Sequence, residues 1–166
     1  MSEGAFREGV HYSIMYYGGK LLSHLSALPP TEAQQAISLL RLNRNLITII
    51  DSDRRWLKPG KFRSDINDTK KRIIAESESV GGLVWVTEGK EVENYLSGRI
   101  ISELTKGKIA TVDKFDAVPD RLRRHVTDKI SLAHQVAELT TDADLDVLDL
   151  RERVSDLMVR IRAWNS

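Results

Sequence analysis

The sequence predicts an α/β fold: a mostly parallel sheet flanked by helices, followed by a helical C-terminal part. Three observations carry that prediction. Two short apolar runs, LITII (46–50) and LVWVT (83–87), are bounded by polar residues and rich in β-branched side chains. Such runs suit strands covered on both faces, as in parallel sheets. Segments with helical spacing lie between and after these runs, and strand–helix alternation implies parallel crossovers. The last third of the chain reads as helical throughout.

Taken in order, HYSIMYY (11–17) is aromatic and branched and reads as a strand, ended by Gly18-Gly19. A short apolar stretch, Leu21 to Leu28, stops at Pro29-Pro30. Thr31 is placed to cap a helix, with Gln34 completing a capping box and Ala36, Ile37, Leu39 and Leu40 on its buried side. LITII then runs into Asp51-Ser52-Asp53. Residues 54–72 hold eight Lys/Arg and two Asp and read as a basic loop with a Pro-Gly turn inside. Asp68 or Thr69 caps a helix through Ile73, Ile74 and Ala75 that closes at Gly81-Gly82, before the strand LVWVT. TEGKEVENYLS (87–97) opens a further helix at that strand's carboxyl end.

A helix is expected over Pro119–Leu139, with Pro119 suited to a first helical position. Val147, Leu150, Val154, Leu157, Ile161 and Trp164 then recur at spacings of 3, 4, 3, 4 and 3, a narrow amphipathic seam. The expected organisation is an α/β core over 1–112 and a helical part over 113–166 packing on it.

At 166 residues the chain has the length of one ordinary domain. Lys plus Arg number 25 and Asp plus Glu 24, so binding to a polyanion requires a local patch, not bulk charge. With no cysteine, disulfide scaffolds, thiol nucleophiles and zinc–thiolate sites are excluded. No apolar run approaches the roughly 20 residues that cross a bilayer, and no secretory leader is legible, so the cytoplasm is the expected compartment. The four histidines lack metal-ligand spacing, and no phosphate-binding GxxxxGK[ST] loop occurs.

Chemistry concentrates after the two buried strands. In open α/β sheets, ligands bind beyond the carboxyl ends of strands. Asp51 and Asp53 follow the first, and paired carboxylates there favour a hard cation, Mg²⁺ or Mn²⁺. Equally, one could cap a turn while the other is solvated. Glu88, Glu91 and Glu93 follow the second strand, where a neighbouring strand would bring them to the same edge. A first helical turn would also favour these acids. The adjacent Asn94-Tyr95 has the look of site architecture. Arg54, Arg55, Lys58, Lys61, Arg63, Lys70, Lys71 and Arg72, interleaved with Trp56 and Phe62, could hold phosphates and stack unpaired bases, or form a solvated face. Lys129 lies on a helix whose apolar face is made by Ile130, Leu132, Ala133 and Val136; it could stabilise developing charge on a phosphate, or be a surface lysine.

The series HYSIMYYGGKLLSHL, LNRNLITIIDSDRR, TKKRIIAE, WVTEGKEVENYLS and DKISLAHQVA resembles the TOPRIM nuclease region of OLD-family (overcoming lysogenization defect) ATP-dependent endonucleases, from about His11 to Trp164. The resemblance implies a TOPRIM-like, Rossmann-like fold and metal-dependent cleavage of nucleic-acid phosphodiesters, in a family with many members tied to anti-phage defence. It implies that Asp51 and Asp53 are the DxD pair, catalytic and metal-binding. Glu91 and Glu93 become further metal ligands, and Lys129, in a K-x-x-x-A stretch, the transition-state stabiliser. Two departures stand out. The family's Glu-Gly motif on a strand before His11 has no counterpart, since Glu3-Gly4 and Glu8-Gly9 lack a preceding apolar run. The ATPase half is also absent.

Two functions follow as expectations. One is a divalent-metal-dependent endonuclease domain acting on DNA (or RNA). The other is a catalytically incomplete fragment or subunit that binds nucleic acid or a partner ATPase. A homodimer through the 147–164 seam fits either. A receiver-like phosphoacceptor domain fits the long C-terminal helices poorly.

Overall fold

The computed structural model describes residues 6–17, 23–27, 37–38, 43, 45–63, 66–122, 124–126 and 128–166. The fold is α/β. The chain divides into two compact units, one of Met1–Thr48, Asn67–Trp85 and Val154–Ser166, the other of Ile49–Ile66 and Val86–Arg153.

In the first unit, β1 (Leu25–Ser26) pairs in parallel with β2 (Ile37–Ser38). Helix α1 spans Asp68–Ser79 and is capped by Asn67, whose side chain accepts from the Lys70 N–H. Ile73 and Ser77 form its buried side. Ser77 meets Thr48 hydroxyl to hydroxyl at 3.1 Å. One turn earlier, Glu76 accepts from the Ser26 hydroxyl and the Ala27 N–H, both at 2.9 Å. Arg72 donates to Glu76 at 2.8 Å and to the Leu25 carbonyl at 2.9 Å. Burial opposes ionisation of Glu76, but the bonds from Arg72, Ala27 and Ser26 outweigh it and lower the carboxyl pKa.

Strand β3 (Ile47–Ile50) pairs with β6 (Leu83–Val86). Leu83 N–H donates to the Leu46 carbonyl at 3.1 Å and Thr87 N–H to the Ile50 carbonyl at 3.0 Å. Both strands advance together between these bonds, so the pairing is parallel.

The second unit contains β4 (Arg55–Lys58) and β5 (Lys61–Arg63), an antiparallel hairpin. Its helices are α2 (Gly98–Thr105), α3 (Val118–Leu122) and α4 (Lys129–Leu139). Ser97 caps α2 by accepting from Ile100 N–H, and Asp128 caps α4 by accepting from Ser131 N–H. Ile101, Val118, Leu122, Val126 and Leu132 form its core, with Leu96, Leu104, Ile109, Val112 and Val136 around them. Each fully buried aliphatic side chain contributes about 1.5–3 kcal/mol relative to exposure. Helix α5 spans Leu150–Trp164, and every seam position from Val147 to Trp164 is half-buried.

Several expectations are corrected. HYSIMYY is not a strand: a single bridge joins Glu8 and Tyr12, and Tyr16 is 87% exposed. Branched and aromatic residues favour a strand only where a neighbour supplies the ladder, and the bridge ends at Tyr12. Ile37–Ser38, expected in a helix, is strand β2, set by its partner Leu25–Ser26. The remainder of that helix, Gly18-Gly19, Leu21, Leu22 and Leu28 lie outside the described residues. The basic loop contains a hairpin, because Pro59 and Gly60 (φ 75°) supply the residues of a two-residue turn. The 87–97 helix is instead a 3₁₀ turn, Val92–Tyr95, separated from α2 by an extended Leu96. The Pro119–Leu139 helix divides into α3 and α4, and among the described residues the strands form three separate pairs in place of one sheet.

Candidate functional site

The candidate site lies in the second unit, where the segments after β3 and β6 are fastened side by side. Ser52 and Thr87 are both 0% exposed. Thr87 Oγ1 accepts from the Ser52 N–H at 2.9 Å and donates to the Gly89 carbonyl at 2.8 Å. The Ser52 hydroxyl donates to the same carbonyl at 2.6 Å. Asp53 N–H donates to the Lys90 carbonyl at 2.9 Å, and Lys90 N–H to the Lys114 carbonyl at 2.8 Å. A side chain at Gly89 would place its Cβ 2.6 Å from Asn94 Cβ and 3.1 Å from the Lys114 carbonyl. Only glycine allows that approach.

This fastening brings Asp51 beside the Glu91–Glu93 segment. Asp51 Oδ1 accepts from Val92 N–H at 3.0 Å, between Glu91 and Glu93. Asp53 adopts a left-handed backbone with φ of 51°, which Asp tolerates better than most residues. Lys129, the first residue of α4, pairs with Glu93 at 2.8 Å. That bond, reinforced by the charges of Glu93, Glu91 and Asp51 against a smaller opposing burial effect, raises the lysine pKa and keeps it cationic. Glu91 is treated differently. Burial, then the negative charges of Glu93 and Asp51, push its pKa up. Its Oε1 is buried and has no hydrogen-bond partner.

Asn94 and Tyr95 hold this arrangement. Asn94 Oδ1 accepts from Glu91 N–H at 2.9 Å, and its Nδ2 donates to the Asp113 and Asp116 carbonyls, each at 3.1 Å. The Tyr95 hydroxyl accepts from Glu88 N–H at 2.9 Å and donates to Asp149 at 2.5 Å. Burial works against the Asp149 charge, but Tyr95 and Arg153 overcome it and lower its pKa. Both side chains position the turn. The Glu88 carboxylate itself lies 3.7 Å from Lys114 Nζ.

The basic residues fall into two groups. Arg54, Arg55, Lys58, Lys61 and Arg63 belong to the second unit, with all but Arg54 on the exposed hairpin. Arg54 donates to the Glu88 carbonyl at 3.2 Å, tying the hairpin's start to the acidic turn. Lys70, Lys71 and Arg72 belong to the first unit. There Lys71 pairs with Asp68 at 3.1 Å, and Arg72 is committed to Glu76.

Asp51, Glu91 and Glu93 are hard oxygen donors, the chemistry Mg²⁺ and Mn²⁺ select. The buried, unpartnered Glu91 oxygen fits such an ion. Among the described residues, no three Asp, Glu or His side chains are gathered closely enough to hold a metal ion.

Sequence reasoning passed over Ser52, Thr87 and Gly89. Their signal was local: hydroxyls and a glycine at the two strand exits. Asp113 and Asp149, the distant partners of Trp56 and Tyr95, left no signal. No helix among the described residues is long and apolar enough to cross a membrane. Comparison with protein-family models, curated proteins and solved structures finds no match to this chain.

Proposed function

We propose that this chain is a TOPRIM-like, divalent-metal-dependent endonuclease domain that cleaves DNA phosphodiesters. The observation that carries the reading is the convergence of Asp51, Glu91, Glu93 and Lys129 at two adjoining strand exits. Asp51 bonds to the Glu91–Glu93 segment at 3.0 Å and Lys129 pairs with Glu93 at 2.8 Å. Four residues drawn from three distant parts of the chain supply the acids and the cation that phosphodiester hydrolysis uses.

Asp51, Glu91 and Glu93, with Asp53 beside them, would hold Mg²⁺ or Mn²⁺, which supplies Lewis-acid polarisation and an acidified water. Lys129 is held cationic beside these acids, ready to stabilise negative charge accumulating on a phosphate. The side chain is 69% exposed, so it can move from Glu93 towards a bound phosphate. The Asn94 and Tyr95 bonds hold the acidic turn in place while this happens. Membership of an ATP-dependent defence nuclease, with an ATPase domain or subunit as partner, belongs to the same proposal.

The test is a titration of Mn²⁺ and Mg²⁺ into the purified chain with supercoiled plasmid, beside an Asp51→Ala/Asp53→Ala double variant. Metal-dependent nicking that disappears in the variant is the expected result. Nicking that survives the double substitution overturns the assignment. A second reading, DNA binding without turnover, is favoured by the lack of three gathered ligands among the described residues. Salt-sensitive DNA binding with no nicking at any metal concentration selects it.

A further inference from the structure

The β4–β5 hairpin carries an arrangement that phosphodiester cleavage does not require. Trp56 and Phe62 are directly opposed across the strand pair and therefore share a face. Their rings meet edge to face at 6.3 Å, and both rest on the buried ring of Phe115, at 4.8 and 5.2 Å. The Trp56 indole N–H donates to Asp113 at 2.6 Å, which fixes its orientation. Yet Trp56 remains 42% and Phe62 52% exposed.

Cations surround these rings. Residues 54–63 include Arg54, Arg55, Lys58, Lys61 and Arg63 and no acid. Arg55 faces Arg63 and Lys58 faces Lys61 across the ladder, pairings that oppose strand association in isolation. Arg54 lies over the Phe62 ring at 5.9 Å and Lys114 over Phe115 at 5.2 Å. Next to Trp56 is a shallow depression of about 350 Å³ lined also by Leu57, Lys58, Pro59 and Gly60. That volume lies at the small end of ligand pockets, roughly 300–1,000 Å³.

We propose that this hairpin is a stacking platform for unpaired bases, so that the chain engages single-stranded DNA in preference to duplex. The oriented, half-exposed rings of Trp56 and Phe62 would each offer a face to a base. The flanking Arg and Lys would track the phosphates: five cations in 54–63 provide the charge complementarity, while the nearby Asp113 carboxylate is taken up by the Trp56 indole N–H. Stacked bases are unavailable in an intact duplex, so rings of this kind select unpaired strand. The inference rests on the nuclease reading for the polymer, and it names the form of substrate the cleavage site would receive.

The experiment is fluorescence anisotropy of the whole chain in chelator, with three probes of equal length: labelled oligo-dT, an abasic deoxyribose-phosphate chain, and a duplex. Oligo-dT is expected to bind about tenfold or more tighter than either of the others. Trp56→Ala should weaken oligo-dT binding about 10- to 100-fold and leave the abasic chain's affinity unchanged. Trp56→Phe should retain most of the preference, which separates loss of stacking from loss of the hairpin. Equal affinity of the unaltered protein for oligo-dT and the abasic chain overturns the proposal, as does a duplex bound as tightly as oligo-dT. Base preference in chelator without nicking in metal would sink the nuclease reading and leave the platform standing. Metal-dependent nicking without base preference would do the reverse.

Discussion

Two 3₁₀ turns in the second unit, Val92–Tyr95 and Asp142–Leu145, share one device and put it to opposite use. In each, the third residue's side chain accepts from the backbone N–H of the residue before the turn. Asn94 accepts from Glu91, and Asp144 from Thr141, both at 2.9 Å. Around Asp144 the partners are complete. Arg99 donates to both its oxygens, at 3.0 and 2.5 Å, and the Ser97 and Thr141 hydroxyls add bonds at 2.5 and 2.7 Å. These bonds, Arg99 first, hold the Asp144 carboxyl far below the usual carboxylate range. Around Glu91 the partners are incomplete, burial raises its pKa, and Oε1 has none. A carboxylate whose bonds are all made internally fixes a turn. One left short in an acidic neighbourhood has capacity for a ligand.

The largest effect that would sharpen this contrast is on turnover. Lys129→Ala removes a cation from the Glu91 side while leaving the Asp144 side untouched. Nicking is expected to fall roughly 10²–10³-fold. Stability should fall by roughly 1 kcal/mol, because the Glu93 side chain, only 13% exposed, loses its partner. Denaturant melts beside plasmid assays would check both parts, and equal losses in stability and activity would contradict the role given to Lys129.

Gly89→Ala is expected to cost about 1–3 kcal/mol, because its Cβ would lie 2.6 Å from Asn94 Cβ and the turn cannot close. A urea midpoint unchanged from the parent would show that the fastening of the two strand exits yields easily.

The Asp144 turn can be broken by acid. Because its folded pKa is lowered, Asp144 contributes stability that is fully present above the ordinary value of 3.8 and is lost as pH falls towards the folded pKa. Asp144→Asn should therefore melt earlier than the parent at pH 7 and show a flatter stability profile below pH 4 or so. Parallel profiles for the two proteins would contradict this assignment.

The smallest expected effect is at Glu91. Glu91→Gln removes a charge that burial and the neighbouring acids disfavour. In chelator the variant should be as stable as the parent or slightly more so, by about 0.5 kcal/mol or less. Mn²⁺ should raise the melting midpoint of the parent and raise that of the variant less. Equal responses would place the metal elsewhere.

Legibility in the sequence followed the range of the forces involved. LITII and LVWVT announced β3 and β6 through their own β-branching, and the residues from Asp68 onwards announced α1, although its cap is Asn67 and not Asp68 or Thr69. Asp51, Glu91, Glu93 and Lys129 were legible as types of residue at strand exits and on a helix. Local preference failed where pairing with a distant segment decides the conformation. HYSIMYY has the composition of a strand and lacks one's ladder, while Ile37–Ser38 is a strand because Leu25–Ser26 pairs with it. The hairpin at 55–63 was hidden behind its charge, although Pro59-Gly60 supplied its turn.

By itself, the sequence determined an α/β chain without thiol chemistry, the positions of two strands, though not their burial (Ile49 of β3 is 43% exposed), and which acids and cations follow them. These follow from composition and from spacings of a few residues, which act within one strand or one helical turn. Only the tertiary structure decided which charges are committed and which remain for a ligand. It tied Arg72 to Glu76 and Arg99 to Asp144, set Lys129 beside Glu93, and left the Glu91 oxygen without a partner. The physical reason is that ionisation and hydrogen bonding depend on distances of about 3 Å. Residues tens of positions apart reach such distances only when the chain has folded.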